Sequence, residues 1–284
     1  RGDVLILRDG LQPGKSPEYD QQGQVLKPAT IGVTEPEIYK SIRPGEQIWF
    51  DDGKIGGIIK YVNNSQAHVE ITHARYKGEK LRANKGVNLP DSKIKLPALT
   101  PKDLEDLKFI AEHADAVDFS FVNNASDVRE LQARLRELGG EHLGIVLKIE
   151  TITAFDHLPG LLLAVMASPA AGVMIARGDL AVECGYERMA EVQEEILWFS
   201  EAAHMPVIWA TEVLERMAKK GMPSRAEITD AAMSSRSECV MLNKGPYVVE
   251  AVKALDSILK RMQEHQSKKT SMLRELRLAH KFNP

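Results

Sequence analysis

The stretch Gly144-Ile145-Val146-Leu147-Lys148-Ile149-Glu150 decides how this chain is read: an apolar, β-branched run that ends in a cation and a carboxylate. Such a run forms a buried strand, and a strand delivers its last side chains to the rim of a sheet, where the following loop opens into a pocket. Lys148 and Glu150 are two residues apart, so on a regular strand both point to the same face. Two later runs end the same way, at Ala176-Arg177-Gly178-Asp179-Leu180 and at Ala210-Thr211-Glu212. The intervals of 29 residues from Glu150 to Asp179 and 32 from Asp179 to Thr211 each hold one helix and one strand, the spacing of a repeating βα unit.

Working outward, the grammar of alternating helix and strand holds from Thr100 onward. Thr100 is placed to cap a helix with Pro101 at its first position and Asp103 behind it, running to about His113, and Ala116–Phe121 follows as a strand. Ser126 is expected to cap a second helix ending at Gly139-Gly140, ahead of the Gly144–Ile149 strand. Further strands are expected at Gly172–Ala176, Pro206–Ala210 and Cys239–Leu242, with helices over Tyr186–His204, from a Ser224-Arg225-Ala226-Glu227 capping box to about Arg236, and over Tyr247–Met262. Five buried strands at intervals of about 30 residues, each followed by a helix, specify parallel β/α architecture. A doubly wound sheet satisfies the same pattern, but the chain has no Gly-x-Gly-x-x-Gly turn, and charged residues on successive strand ends favour a (β/α)8 barrel. Five of its eight units are visible.

Residues 1–86 read differently, as short alternating runs (Val4–Leu7, Gln47–Phe50, Ile55–Tyr61, His68–Ile71) separated by turn signals such as Pro44-Gly45, Asp52-Gly53 and Asn63-Asn64. The expected organisation is a small all-β domain over 1–86, a β/α barrel portion over 87–265 that opens with a connector at Gly86–Pro97, and a helical tail over 266–284. The fold class is thus α/β, a partial (β/α)8 barrel preceded by a small all-β lid.

Composition narrows the chemistry. The 284 residues are 43% hydrophobic and 27% charged with a net charge of −3, which favours neither nucleic acid nor an anionic membrane as partner. Cys184 and Cys239 are too few for a disulfide framework, so a reducing, cytoplasmic setting is expected, and no apolar run approaches a membrane span. The N-terminal Arg-Gly-Asp-Val has neither an initiator Met nor a signal pattern, and the chain is expected to start inside a longer protein.

At the rim, Glu150 and Asp179 on neighbouring strand ends could each give one oxygen to a hard divalent cation such as Mg²⁺. Gly178 lets a ligand approach the backbone, and amides opening a helix there would bind a carboxylate. Each feature also has a structural reading: charge balance for Lys148, a tight turn for Gly178, an ordinary β-branched residue for Thr211. The coincidence of cation, carboxylates and hydroxyl on successive strand ends favours phosphate or enolate chemistry.

Beyond these residues, Lys85-Gly86-Val87-Asn88-Leu89-Pro90, Pro97-Ala98-Leu99-Thr100, Ser120-Phe121-Val122, Lys148-Ile149-Glu150, Met174–Leu180, Pro206-Val207-Ile208 with Ala210-Thr211, Pro223–Glu227 and Val240-Met241-Leu242 resemble the pyruvate kinase family in order and spacing, over roughly residues 1–262. Asp51-Asp52-Gly53 resembles a turn of that family's β-barrel lid, which is inserted after the third barrel strand. The resemblance implies phosphoryl transfer from phosphoenolpyruvate to ADP, giving pyruvate and ATP through a Mg-bound enolate, with Mg²⁺ (or Mn²⁺) on Glu150 and Asp179. It implies that Lys148 stabilises the phosphoryl group in transit, and that Ser120 sits near that group. By the same resemblance, the Gly178 and Asp179 amides with the Thr211 hydroxyl hold the substrate carboxylate, Thr211 lies near the protonated carbon, and Lys85 faces the nucleotide phosphates. The lid is then expected to close over the site and exclude water.

The chain departs from the family pattern at three places: Glu212-Val213 stands where Gln-Met is usual, Asn243-Lys244-Gly245 where a Ser-Gly-Glu-Thr segment is usual, and Asn123 where a basic residue is usual. The family's K⁺ ligands and phosphate-binding arginine lie on its first three barrel strands, for which no counterpart is read in this sequence, nor is one read for its C-terminal regulatory domain, so K⁺ is left without its expected ligands. The alternatives are a metal-dependent pyruvate or enolate aldolase or lyase, and a catalytically impaired paralogue; the lid and Lys85 favour the kinase, because a nucleotide needs them. A homo-oligomer is compatible with each.

Overall fold

Two runs of apolar side chains with different periods divide the chain into two compact units, Arg1–Pro97 and Ala98–Pro284. The computed structural model describes residues 1–92, 94, 97–265 and 280–281. The tail expected over 266–284 therefore lies outside the described residues, apart from His280 and Lys281.

In the first unit the period is two. Along β7 (Gln66–His73), Ala67, Val69 and Ile71 are buried while the residues between them face outward, as a half-buried strand requires. That strand sits in a curled, mixed six-stranded sheet with β1 (Val4–Asp9), β4 (Ala29–Val33), β5 (Gln47–Phe50), β6 (Ile55–Val62) and β8 (Val87–Asn88), in the order β4-β1-β7-β6-β5-β8. A separate pair, β2 (Glu18–Tyr19) and β3 (Val25–Lys27), and a single helical turn, α1 (Ile38–Ser41), complete the unit. Asp51, Asp52 and Gly53 turn the chain between β5 and β6 with φ of 50°, 55° and 81°, the left-handed region that a tight hairpin demands.

The stretch from Gly86, expected as a connector, begins with a strand. Val87 and Asn88 pair antiparallel with Phe50 and Trp49, and Leu89 enters the first unit's core. The division between units accordingly falls at Pro97 rather than beside Gly86.

The second unit holds a curled parallel sheet of β9 (Ala116–Phe119), β10 (Gly144–Ile149), β11 (Ala171–Ala176), β12 (Val207–Val213) and β13 (Cys239–Leu242), in the order β13-β12-β11-β10-β9. Each new strand lies beside its predecessor, with no reversal of direction across the sheet, so the progression is that of a (β/α)8 barrel and the unit is part of one. The connections are α2 (Pro101–His113) before β9, then α3 (Ala125–Glu137), α4 (Ile152–Asp156) with α5 (Leu158–Val165), α6 (Arg177–Cys184) with α7 (Met189–Ala202), and α8 (Glu215–Lys220) with α9 (Arg225–Met233), followed by α10 (Val248–His265). Leu147, Ile149, Val173, Ile175 and Trp209 from the strands pack with Leu131, Leu158, Leu161, Val192 and Ile196 from the helices in one core. No helix among the described residues is long and apolar enough to cross a membrane.

Local chemistry explains most boundaries. Thr100 and Ser224 form the expected capping boxes with Asp103 and Glu227. The cap of α3 is Asn124 instead of Ser126: its extended backbone lets the amide oxygen accept from the Ser126 and Asp127 N–H groups, and the helix starts two residues earlier than expected. The first strand of the sheet stops at Phe119, two residues before the expected Phe121, because Phe121 has a φ of 52° and leaves the sheet plane. Helix α9 ends at Met233 and passes into a 3-10 turn over Ser234–Arg236.

Candidate active site

The regular part of the rim is the end of β10. Lys148 and Glu150 share a face as their spacing requires, and the Lys148 ammonium lies 3.0 Å from Glu150 Oε1 while donating to Ser120 Oγ at 2.7 Å. Phe121 donates its backbone N–H to Glu150 Oε2 at 2.6 Å, which gives its left-handed backbone a use. Asn123 braces that turn, donating from its side-chain amide to the Phe121 carbonyl at 2.9 Å and accepting from Thr151 Oγ1 at 2.6 Å. Three sequence-expected residues, Ser120, Lys148 and Glu150, are therefore joined directly.

Glu150 is 3% exposed, and burial pushes its pKa up. Lys148 and the Phe121 N–H pull it back down, while the charge of Asp179 adds to the rise. The net direction is upward: a carboxylate held in a dry place with less positive charge around it than it could use. A hard divalent cation would supply that charge. Among the described residues no group of three or more His, Cys, Asp or Glu side chains is gathered to hold a metal, so a cation here would take Glu150 and Asp179 and complete its shell with water and substrate oxygens. The donor set fits Mg²⁺ or Mn²⁺ on those terms.

The second part of the rim is the start of α6. Its N-cap, Ala176, makes no side-chain cap, and Asp179 sits in the first turn, where the helix dipole favours a negative charge. Gly178 is required here by contact: a Cβ at this position would lie 2.8 Å from the Thr211 Cγ2 methyl. Gly178 and Thr211 are thus packed together across two strand ends.

The third part is the end of β12, and it is irregular. Thr211, Glu212 and Leu214 have φ of 71°, 59° and 48°, and the pairing with β13 shifts between Trp209 and Val213. Left-handed backbone costs a residue with a Cβ roughly 1–2 kcal/mol. Arg177 spans this turn: Nε donates to the Ala210 carbonyl at 2.7 Å, Nη2 to the Thr211 carbonyl at 2.6 Å and to Asp230 Oδ2 at 2.9 Å, and Nη1 to Asp230 Oδ1. The guanidinium carbon lies 4.8 Å from the centre of the Trp209 ring. Neither Arg177 nor Asp230 was expected at the site from the sequence. Arg177 stands inside a motif that reads as a turn, and Asp230, 53 residues further on in α9, carries no local signal.

Lys85 belongs to the first unit. Its ammonium lies 2.7 Å from Asp51 Oδ1, which also meets Lys54 at 3.0 Å. Burial pushes the Asp51 carboxyl up, but the two lysines outweigh it and hold the group below the usual carboxylate range.

Carboxylates, a lysine and a hydroxyl thus lie at the ends of successive strands of a partial β/α barrel, the rim at which proteins of this barrel class carry their sites. The family described as "Pyruvate kinase, barrel domain" matches residues 15–252, and this chain belongs to it. Pyruvate kinase of Clostridium acetobutylicum is 32% identical over 265 residues, covering 90% of this chain and 54% of that protein. Pyruvate kinase of Thermococcus litoralis is 32% identical over 276 residues (94% and 54%), and human pyruvate kinase PKLR is 34% identical over 239 residues (81% and 39%). The chain spans about half the length, or less, of these relatives.

Proposed function

We propose that this chain carries the metal- and enolate-handling half of a site that transfers a phosphoryl group from phosphoenolpyruvate to ADP, giving pyruvate and ATP. The observation that carries the reading is the Lys148 ammonium set between Ser120 Oγ and the buried Glu150 carboxylate, on the same rim as Asp179. An ammonium has three N–H donors. With two directed at Ser120 and Glu150, the third is available to an oxygen of the migrating phosphoryl group, where a positive point charge offsets the charge of the transition state.

Charge arithmetic supports an anionic ligand only with a cation bound: Glu150, Asp179 and Lys148 sum to one negative charge, which a divalent ion converts to one positive. Such an ion, held by Glu150 and Asp179, supplies Lewis-acid polarisation of substrate oxygens when bound. The first-turn amides at Gly178 and Asp179 and the Thr211 hydroxyl receive the substrate carboxylate. Thr211 is also the group we assign to the proton that converts the enolate to pyruvate, directly or through a water. Lys85 is assigned to the nucleotide phosphates, and its ion pair with Asp51 is then exchanged for one with the nucleotide.

The test is a coupled assay for pyruvate formation from phosphoenolpyruvate and ADP, with and without Mg²⁺. The reading predicts Mg²⁺-dependent pyruvate and ATP in equal amounts. Mg²⁺-dependent turnover of pyruvate or its adducts without ATP formation would overturn it in favour of an enolate lyase or aldolase.

A further inference from the structure

The strained end of β12 has no intrinsic reason to keep its shape. The register of β12 with β13 shifts between Trp209 and Val213, across the left-handed Thr211 and Glu212, so Ala210 and Thr211 have no register partner on β13. Both carbonyls instead accept from one side chain, that of Arg177, which belongs to the neighbouring strand–helix junction. Four of its five N–H donors are spent: two on those carbonyls and two on the Asp230 carboxylate, which fixes the plane of the guanidinium. The Arg177 side chain is only 15% exposed and stacked near Trp209, so it does not present a charge to a ligand.

We propose that Arg177 is a positioning residue, held in plane by Asp230, that locks the Thr211 turn to the start of α6 and so sets the Thr211 hydroxyl against the Gly178 and Asp179 amides. The inference rests on the proposed function for what those groups bind, but the lock itself is a matter of geometry. Arg177 and Gly178 are consecutive, so one junction both donates to the Thr211 carbonyl and lies close against its methyl group. A lysine cannot substitute, because a single ammonium has no fork that spans two carbonyls and a carboxylate in one plane. Asp230→Asn keeps an acceptor and loses the charge, so it loosens the lock without removing it.

The experiment compares the parent chain with Arg177→Lys and Asp230→Asn by two readouts. The first is the ¹H–¹³C resonance of the Thr211 methyl, assigned by its disappearance in Thr211→Ser. The second is binding of Mn²⁺, and then of oxalate to the Mn²⁺-loaded chain, by electron paramagnetic resonance and calorimetry. Arg177→Lys is expected to move the Thr211 methyl resonance and weaken oxalate about tenfold, the loss of one well-placed hydrogen bond, with Mn²⁺ affinity unchanged. Asp230→Asn is expected to do the same to a smaller degree, and decides the matter alone should Arg177→Lys not fold. An unmoved methyl with unchanged oxalate binding overturns the proposal, as does equal loss of Mn²⁺ and oxalate, which would make Arg177 a support of the whole unit. Should the parent bind Mn²⁺ but no oxalate, the proposed function falls, and the methyl resonance still decides whether Arg177 sets Thr211.

Discussion

The ends of β10 and β12 perform neighbouring tasks by opposite means. The first is a regular strand whose alternation alone places Lys148 and Glu150 on one face, and its charged groups satisfy each other over one residue of spacing. The second carries three left-handed residues and keeps its conformation through a side chain from the start of α6 and a carboxylate from α9. A regular strand end is sensitive in the charges it displays, and a strained one in the contacts that hold its backbone. The comparison makes distinct predictions.

The largest effect is expected at the regular end. Lys148→Met should lower phosphoryl transfer by about 10²–10³-fold, on the scale of removing a principal electrostatic stabiliser. Divalent-metal affinity should be largely retained, because Glu150 and Asp179 remain; kinetics and metal titration on the same protein check both halves. The variant should also be less stable without metal, since Glu150 is left buried without its partner, and regain melting temperature when Mg²⁺ is added.

At the strained end, Gly178→Ala places a methyl 2.8 Å from Thr211 Cγ2, so one of the two must move. Overpacking of this kind costs about 1–3 kcal/mol. The expected outcome is weaker oxalate binding with Mn²⁺ binding preserved, and calorimetry of the two ligands in sequence separates them. Losing Mn²⁺ and oxalate together would mean that the two ends are not independent.

The smallest effects lie away from the rim. Ser224→Ala removes the α9 cap and should cost about 1 kcal/mol by denaturant unfolding. The Glu227 carboxyl of the same cap is pushed up by burial, but the Ser224 and Arg216 N–H groups that it accepts outweigh this and hold it below its ordinary value. Its contribution is therefore present above the unfolded carboxylate value of about 4.3 and lost as pH falls through the lower folded value. Glu227→Gln should lower stability near neutral pH and flatten the acid limb of the stability profile.

The same contrast explains what the sequence made legible. Period and spacing located β10, β13 and the Thr100 and Ser224 caps, because each is decided within a few residues. They also put Lys148 and Glu150 on one face at the end of β10, since a regular strand carries its side chains where alternation puts them. What escaped was set by long-range contact or by unusual backbone. Asn124 displaced Ser126 as a cap through its own extended geometry, Val87-Asn88 became a strand only because β5 offered an edge, and the Arg177–Asp230 lock joins residues 53 apart. The family motif contains Arg177, but only the three-dimensional arrangement gives it a job distinct from that of Asp179.

The most direct test of the account is a titration of the chain with Mn²⁺ by electron paramagnetic resonance, alongside Glu150→Gln and Lys148→Met. The account predicts one bound ion in the parent, its near-complete loss in Glu150→Gln and its retention in Lys148→Met. Mn²⁺ binding that survives Glu150→Gln unchanged would contradict it.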